Sequence, residues 1–132
     1  MNHRHEVEVV DGMEPLSVGK EFPFSLEGYT FNNKFVVCSV SLYCKICIDL
    51  LPKLGNISQG FALLTDGTEL DNEEIIKEFE YSFPVLSIEY DSFHNLIVET
   101  PSLMLVETDG NILEIVSIET IEEVNSFIEE SR

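Results

Sequence analysis

The sequence predicts a single α/β domain with a central mixed β-sheet and helices on both faces. Apolar, β-branched runs typical of buried strands alternate along the chain with stretches of helical periodicity. Near the end, two strand patterns follow each other across Asp109-Gly110, which predicts an antiparallel pair. The 132 residues are 44% hydrophobic, enough for one core. We assign residues 1–132 to one domain, with 1–17 as an N-terminal extension and 18–132 as its core.

The charge of the chain limits its partners. It has 25 acidic and 7 basic residues, a formal net charge of −18. This charge repels nucleic acid and favours a basic or neutral protein partner. No apolar run approaches the ~20 residues needed to cross a bilayer, and Met1 is not followed by a signal-peptide hydrophobic region. We therefore expect no membrane span and a cytoplasmic location, or an extracytoplasmic one if a leader or anchor has been removed.

The first elements are short. Apolar residues alternate with polar ones over 7–10, which predicts a short edge strand. Phenylalanine and leucine alternate again over 22–26, before a turn signal at Gly28. This second pattern predicts a β-hairpin added at the N-terminal side of the domain.

The central part begins with a strand and a helix. Residues 35–42 are apolar without alternation, as in a strand covered on both faces. Residues 44–54 carry apolar side chains at four-residue spacing, which predicts a helix. Because Pro52 has no N–H to donate to the Ile48 carbonyl, we expect a kink in the second or third turn.

The next four elements follow from similar signals. A buried strand is predicted over 60–65 and a shorter one over 83–88. Between them a helix is expected to start near Asp71, with Glu74 completing a capping box. Residues 91–96 suit a single helical turn.

The last elements carry the clearest signals. Strands are predicted over 102–106 and 112–116, joined by the Asp109-Gly110 turn. A final helix opens at Thr120, with Glu123 three residues on as its capping partner.

Two cysteines, Cys44 and Cys47, lie where the central strand gives way to its helix. The unpaired N–H groups at a helix start stabilise a thiolate, so Cys44 is the candidate nucleophile. Cys47, nearly one turn further on, can attack a mixed disulfide formed at Cys44. Lys45 adds a positive charge that favours the thiolate. We therefore expect a Cys44 pKa below that of free cysteine.

Other interpretations of the cysteines stay open. A C-x-x-C is half of a zinc site, but the further candidate ligands lack finger-like spacing: His3, His5, His94 and Cys38. Both cysteines can also be ordinary core residues. Cys38, inside an apolar run, is interpreted as packing, His94 as a satisfied surface or core residue, and the acidic residues of 69–78 as a solvated helix face.

With Cys44-Lys45-Ile46-Cys47 after a central strand, Pro52 beyond it and Thr100-Pro101 before a later strand, the chain resembles the thioredoxin superfamily. Residues 18–26 resemble the entry segment of its TlpA-like and peroxiredoxin-like branch. The resemblance spans about residues 18–128. It implies a thioredoxin fold, with an N-terminal β-hairpin extension here.

The resemblance also implies roles for individual residues. Cys44 would be the exposed nucleophile and Cys47 the resolving cysteine. Pro101 would follow a cis peptide bond and pack opposite the dithiol, while the Thr100 backbone would bind a peptide. No cofactor is expected beyond the redox-active Cys44–Cys47 pair, and no metal.

The chain departs from the family pattern at residues that would tune the redox potential. Tyr43 stands where many members have tryptophan, and Lys45-Ile46 replaces a common Gly-Pro dipeptide. Cys38 stands where thioredoxin has a buried acid, so protons must reach Cys47 through another group or water.

The leading functional hypothesis is a monomeric thiol–disulfide oxidoreductase that acts on a protein or peptide disulfide. It would exchange electrons with a donor or acceptor protein, with reduction favoured over oxidation. The alternative is a peptide-binding or delivery module of the same fold with little turnover, for example in the maturation of a specific peptide or protein. A peroxidase would need an arginine-supported cysteine, and arginine occurs only at positions 4 and 132.

Overall fold

The computed structural model describes residues 14–26, 34–57 and 59–131. In these residues the chain forms five strands and four α-helices. In order they are β1 (Lys34–Val40), α1 (Lys45–Leu50), β2 (Phe61–Thr65), α2 (Glu69–Phe79), β3 (Val85–Ser87), α3 (Tyr90–Leu96), β4 (Ser102–Glu107), β5 (Ile112–Ser117) and α4 (Ile121–Glu130). A short 3-10 helix, Leu51–Lys53, directly follows α1.

The strands form one mixed sheet in the order β3-β2-β1-β4-β5. Strands β1, β2 and β3 are parallel, whereas β4 runs antiparallel to both β1 and β5. This confirms the predicted α/β architecture, including the antiparallel pair around Asp109-Gly110. Strand β1 is central, and its carboxyl end leads directly into the candidate dithiol.

The sheet is covered on both faces, which explains why β1 shows no alternation of apolar and polar residues. Val36, Cys38 and Val40 belong to one core cluster, together with residues of α1 and α4. Phe35 and Val37 belong to the other, together with residues of α3. The crossovers through α1 and α2 both step toward β3, so right-handed connections place these two helices on the same face.

The helix after the dithiol is shorter than predicted. The α-helical part ends at Leu50, and the chain continues as the 3-10 helix with Pro52 near its start. Proline there cannot supply the N–H that an α-helix needs, so the single kinked helix expected over 44–54 becomes two segments. The Tyr81 hydroxyl donates a hydrogen bond to the Leu51 carbonyl and holds this junction.

The N-terminal segment does not form a hairpin in its described part. Residues 14–26 contribute one β-bridge, between Glu21 and Asn111, and the Phe22 N–H donates to the Gly110 carbonyl at 2.7 Å. Phe22 and Phe24 are buried against the second face of the sheet, so their alternation reflects packing rather than strand pairing. The strand predicted over 7–10 and the turn at Gly28 lie outside the described residues.

Two helix starts test the capping predictions. Helix α4 has the expected box, in which the Thr120 side chain accepts from the Glu123 N–H. Helix α2 starts earlier than predicted, with Thr68 as N-cap and Asp71 as the third helical residue. The Asp71 and Glu74 box was wrong because a threonine three residues before Asp71 offers the same reciprocal bonds one turn earlier. Helix α3 has about two turns rather than one.

Candidate active site

The candidate site lies at the carboxyl edge of β1. Strand β1 ends at Val40, residues 41–43 form a turn, and Cys44 is the N-cap residue of α1, with extended backbone dihedrals. Its side chain makes no capping hydrogen bond of ordinary geometry. Cys44 is partly exposed and Cys47, inside the helix, is fully buried; both are free thiols. The pair thus has one sulfur accessible to a partner and one protected behind it.

The surroundings of Cys44 favour its thiolate. The backbone N–H of Cys47 is the main cause of a lowered Cys44 pKa, and it outweighs the raising effect of partial burial. The Cys47 thiol, the Ile46 N–H and the Thr100 side chain lower this pKa further. These are mostly the free donors at a helix start, so the predicted direction of the pKa shift agrees with the structure.

The surroundings of Cys47 have the opposite effect. Burial raises the Cys47 pKa to about 12, although hydrogen bonds from the Ser41 N–H and the Thr100 side chain act to lower it. The Ser41 nitrogen lies 3.3 Å from Cys47 Sγ. The two thiols, one helical turn apart, therefore differ in pKa. Cys44 forms a thiolate more readily and is the better nucleophile, whereas Cys47 stays protonated near neutral pH.

The loop before β4 completes the site. The Thr100–Pro101 peptide bond is cis, and Pro101 is buried. The Thr100 side chain acts on the pKa of both cysteines, so it lies beside the dithiol. The structure therefore brings together four of the residues singled out from the sequence: Cys44, Cys47, Thr100 and Pro101.

The residues beside the cysteines are exposed, and one has a different role from that predicted. The Lys45 ammonium lies 3.3 Å from the Asp49 carboxylate, and Lys45 is not among the causes of the Cys44 pKa shift. Its side chain points into solvent, where water screens its charge. Tyr43 is 77% exposed and Ile46 42% exposed, and the Tyr43 ring meets that of Tyr90 edge to face at 5.5 Å.

The third cysteine is a core residue. Cys38 is fully buried in β1, where its backbone pairs with Leu63 and Leu103 on the neighbouring strands. Burial raises its pKa well above the ordinary range. This agrees with its interpretation as packing.

Sequence reasoning missed a polar cluster next to the dithiol. The sequence predicts His94 to be a satisfied surface or core residue, and it assigns no role to Asp66 or Ser41. In the structure the Asp66 carboxylate accepts hydrogen bonds from the Ser41 hydroxyl at 2.6 Å and the Leu42 N–H at 2.8 Å, and it lies 2.8 Å from His94 Nε2. Asp66 follows a buried strand parallel to β1, a signal that could have been used.

Two kinds of site are not found in residues 14–26, 34–57 and 59–131. No group of three His, Cys, Asp or Glu side chains there could hold a metal ion. No helix there is both long and apolar enough to cross a bilayer.

The distinct environments of the thiols predict how alkylation depends on pH. Because the Cys44 pKa is lowered, its thiolate persists below the ~8.5 of free cysteine, and the rate of iodoacetamide alkylation should fall only at a lower pH. Mass spectrometry of the alkylated peptide gives this rate for Cys44 separately from buried Cys47 and Cys38. A midpoint at or above that of free cysteine would contradict the assignment.

Comparison with known proteins finds solved structures of similar fold. No protein-family model matches the chain, and the search of curated proteins finds no match. Among solved structures, a thio-disulfide isomerase from Thermus thermophilus has a TM-score of 0.58 at 15% identity, covering 88% of this chain and 97% of that one. A thiol-disulfide isomerase from Corynebacterium glutamicum has a TM-score of 0.56 at 18% identity, covering 92% and 97%.

A third structure, a thioredoxin-related protein from Neisseria meningitidis serogroup B, has a TM-score of 0.56 at 13% identity. It covers 83% of this chain and 91% of that one. At such low identities the similarity establishes the fold, which is the thioredoxin fold that the family resemblance implied.

Proposed function

We propose that this protein is a thiol–disulfide oxidoreductase that exchanges its Cys44–Cys47 pair with a disulfide in a protein or peptide. The observation that carries the proposal is the inequality of the two thiols. Cys44 is accessible and its pKa is lowered by helix N–H groups, whereas Cys47 is buried and its pKa is raised to about 12. An accessible sulfur at a helix start with a buried sulfur one turn behind it is the arrangement that attack on a partner disulfide and the later release of that partner require.

The reaction follows from the geometry. The Cys44 thiolate attacks one sulfur of the partner disulfide, which forms a mixed disulfide and releases a partner thiolate. Cys47 then loses its proton and attacks the Cys44 sulfur, which releases the second partner thiolate and leaves the Cys44–Cys47 disulfide. The partner disulfide gains two electrons and the Cys44–Cys47 pair loses two. The one proton that Cys47 loses passes to water, and the two released partner thiolates take up protons from water according to their own pKa values. No cofactor other than the pair takes part.

The raised Cys47 pKa supports the reducing direction. A thiol of high pKa is a poor leaving group, so the Cys44–Cys47 disulfide is opened slowly by attack at Cys44. The lowered Cys44 pKa acts in the opposite direction, because it stabilises the reduced form, and we propose that the effect of Cys47 is the larger one. An electron-donor protein would be needed to restore the dithiol after each cycle.

We further propose that the protein acts as a monomer, in the cytoplasm.

A second candidate function is supported by a cleft beside the Thr100–Pro101 loop. It is lined mainly by apolar residues of the N-terminal segment, the end of α3 and the loop after it, β4 and β5: Leu16, Leu96, Ile97, Val98, Met104 and Ile115. Such a cleft suits a peptide-binding or delivery module with little turnover. That function predicts partner binding that survives loss of both cysteines.

Trapping of the mixed disulfide tests the proposed function. In a Cys47→Ser variant the second attack is impossible, so a peptide disulfide should stay covalently attached to Cys44. Non-reducing electrophoresis and mass spectrometry should show one adduct per chain, removed by dithiothreitol. The matched control is the Cys44→Ser variant, in which buried Cys47 should form no adduct. If neither variant forms a covalent adduct while the peptide still binds, the binding module is favoured.

A further inference from the structure

A buried carboxylate lies next to the dithiol and takes no part in the exchange as described. The Asp66 side chain has no exposed surface. Because β1 and β2 are parallel and Val40 pairs with Thr65, Asp66 lies beside the turn that follows β1. One oxygen accepts from the Leu42 N–H at 2.8 Å and the other from the Ser41 hydroxyl at 2.6 Å. A buried carboxylate is costly unless it is hydrogen-bonded, so these contacts fix the turn and the carboxylate together.

The same turn reaches both cysteines through Ser41. Its N–H donates to Cys47 Sγ at 3.3 Å, and its carbonyl accepts from the Cys44 N–H at 3.2 Å. Its hydroxyl oxygen also accepts from the Tyr43 N–H at 3.2 Å. The direction of the Ser41 N–H therefore depends on the bonds that hold the Ser41 side chain. Hydrogen bonding from this N–H acts on the Cys47 thiol to stabilise its thiolate.

The Asp66 side chain and the backbone that follows it are both held by hydrogen bonds. His94, on α3, places Nε2 2.8 Å from the Asp66 carboxylate, and its side chain is 37% exposed. In the backbone that follows, the Gly67 N–H donates to Thr65 Oγ1 at 3.1 Å, and the Ser87 hydroxyl donates to the Gly67 carbonyl. The carboxylate thus has a defined orientation toward Ser41.

We propose that Asp66, oriented by His94, is a positioning residue for the second step of the exchange. It holds Ser41 so that the backbone N–H stabilises the Cys47 thiolate as that sulfur attacks Cys44 and breaks the mixed disulfide. The inference rests on the proposed oxidoreductase function and assigns a role within it. The carboxylate acts through the Ser41 backbone and does not touch the reacting sulfurs.

A chromogenic aryl disulfide separates the two steps in a stopped-flow experiment. Attack by Cys44 releases one coloured thiolate, and attack by Cys47 on the resulting mixed disulfide releases a second one. The wild-type protein should therefore show two phases of equal amplitude, and a Cys47→Ser variant only the first. Because Cys38 is fully buried, we expect it not to react on this time scale in the folded protein.

The variants remove the positioning contacts. In Asp66→Asn only one side-chain oxygen remains, so either the Ser41 hydroxyl or the Leu42 N–H loses its acceptor and the turn that carries Ser41 is no longer held on both sides. The second phase should then be about tenfold or more slower, as for a lost hydrogen bond to a charged group, with the first phase within about twofold of wild type. His94→Ala should slow the second phase about threefold, and His94→Gln, which keeps a side-chain N–H, should restore it. Asp91→Asn, which removes an exposed charge from α3, is the matched control and should leave both phases unchanged.

Specific results would overturn the proposal. One is a second phase whose rate is unchanged in both Asp66→Asn and His94→Ala. The other is equal slowing of both phases, because a merely structural role would not distinguish the two steps. If Asp66→Asn does not fold, as judged by circular dichroism, His94→Ala and His94→Gln decide alone, because His94 is partly exposed. A wild-type protein that releases only one coloured thiolate would instead contradict the oxidoreductase function itself.

Discussion

Replacing Cys44 by serine is expected to lower the rate of insulin-disulfide reduction by more than about a thousandfold, as loss of the attacking group does in covalent catalysis. The serine hydroxyl cannot be ionised by helix N–H groups near neutral pH, and buried Cys47 has no access to a partner disulfide. The measurement is turbidity of precipitating insulin chains in the presence of dithiothreitol, corrected for the uncatalysed reaction.

Cys38→Ala is the matched control for this experiment. It also removes a thiol, but one that is fully buried in β1 and away from partner access. Its rate should stay within about threefold of wild type, because only core packing changes. A Cys44→Ser protein that reduces insulin as fast as wild type would refute the assignment of Cys44 as nucleophile.

Replacing Phe61 by alanine is expected to lower the free energy of unfolding by about 3–5 kcal/mol, the usual cost of truncating a fully buried aromatic residue. Phe61 begins β2, has no exposed surface, and its ring meets that of Phe83 edge to face at 4.8 Å. The lower stability has three causes: the buried apolar surface and the ring contact are lost, and a cavity is left in the core cluster. Urea unfolding monitored by circular dichroism gives the value.

Leu70→Ala provides the comparison for a residue of similar apolar character on the surface. Leu70 lies in α2 and is 66% exposed, so its truncation should change the free energy of unfolding by less than about 0.5 kcal/mol. Equal effects of the two substitutions would mean that the core is not packed around β2 as described.

Most of the sheet could be predicted from the sequence because its signals are local. The apolar run of β1 and the Asp109-Gly110 turn need only a few neighbouring residues to be recognised. Local signals predicted the wrong helix start where two residues within one turn both suit an N-cap. Thr68 and Asp71 both suit a helix start, and only the packed structure places the cap at Thr68. The alternation of Phe22 and Phe24 resembled a strand but reflects burial against the sheet.

The candidate site was predictable where its residues are close in sequence. Cys44 and Cys47 are three positions apart and define their own geometry on a helix. The contribution of Lys45 was overestimated, since charge effects depend on side-chain direction and solvent exposure, which the sequence does not give.

The polar cluster of Ser41, Asp66 and His94 combines residues from three elements, separated by 25 and 28 positions. Its assembly depends on the parallel register of β1 and β2. Once two parallel strands are predicted, however, polar residues directly after their carboxyl ends are expected to meet.

The reduction potential of the Cys44–Cys47 pair tests the central claim most directly. The protein is equilibrated in glutathione buffers of known potential, quenched with acid, and alkylated, and the fraction of intramolecular disulfide is measured by mass spectrometry. The account predicts one transition in which both thiols disappear together, as a two-electron couple with a tenfold change per ~30 mV, at a strongly negative potential. Absence of a Cys44–Cys47 disulfide at every potential, with glutathione attached to Cys44 alone or to neither cysteine, would contradict it.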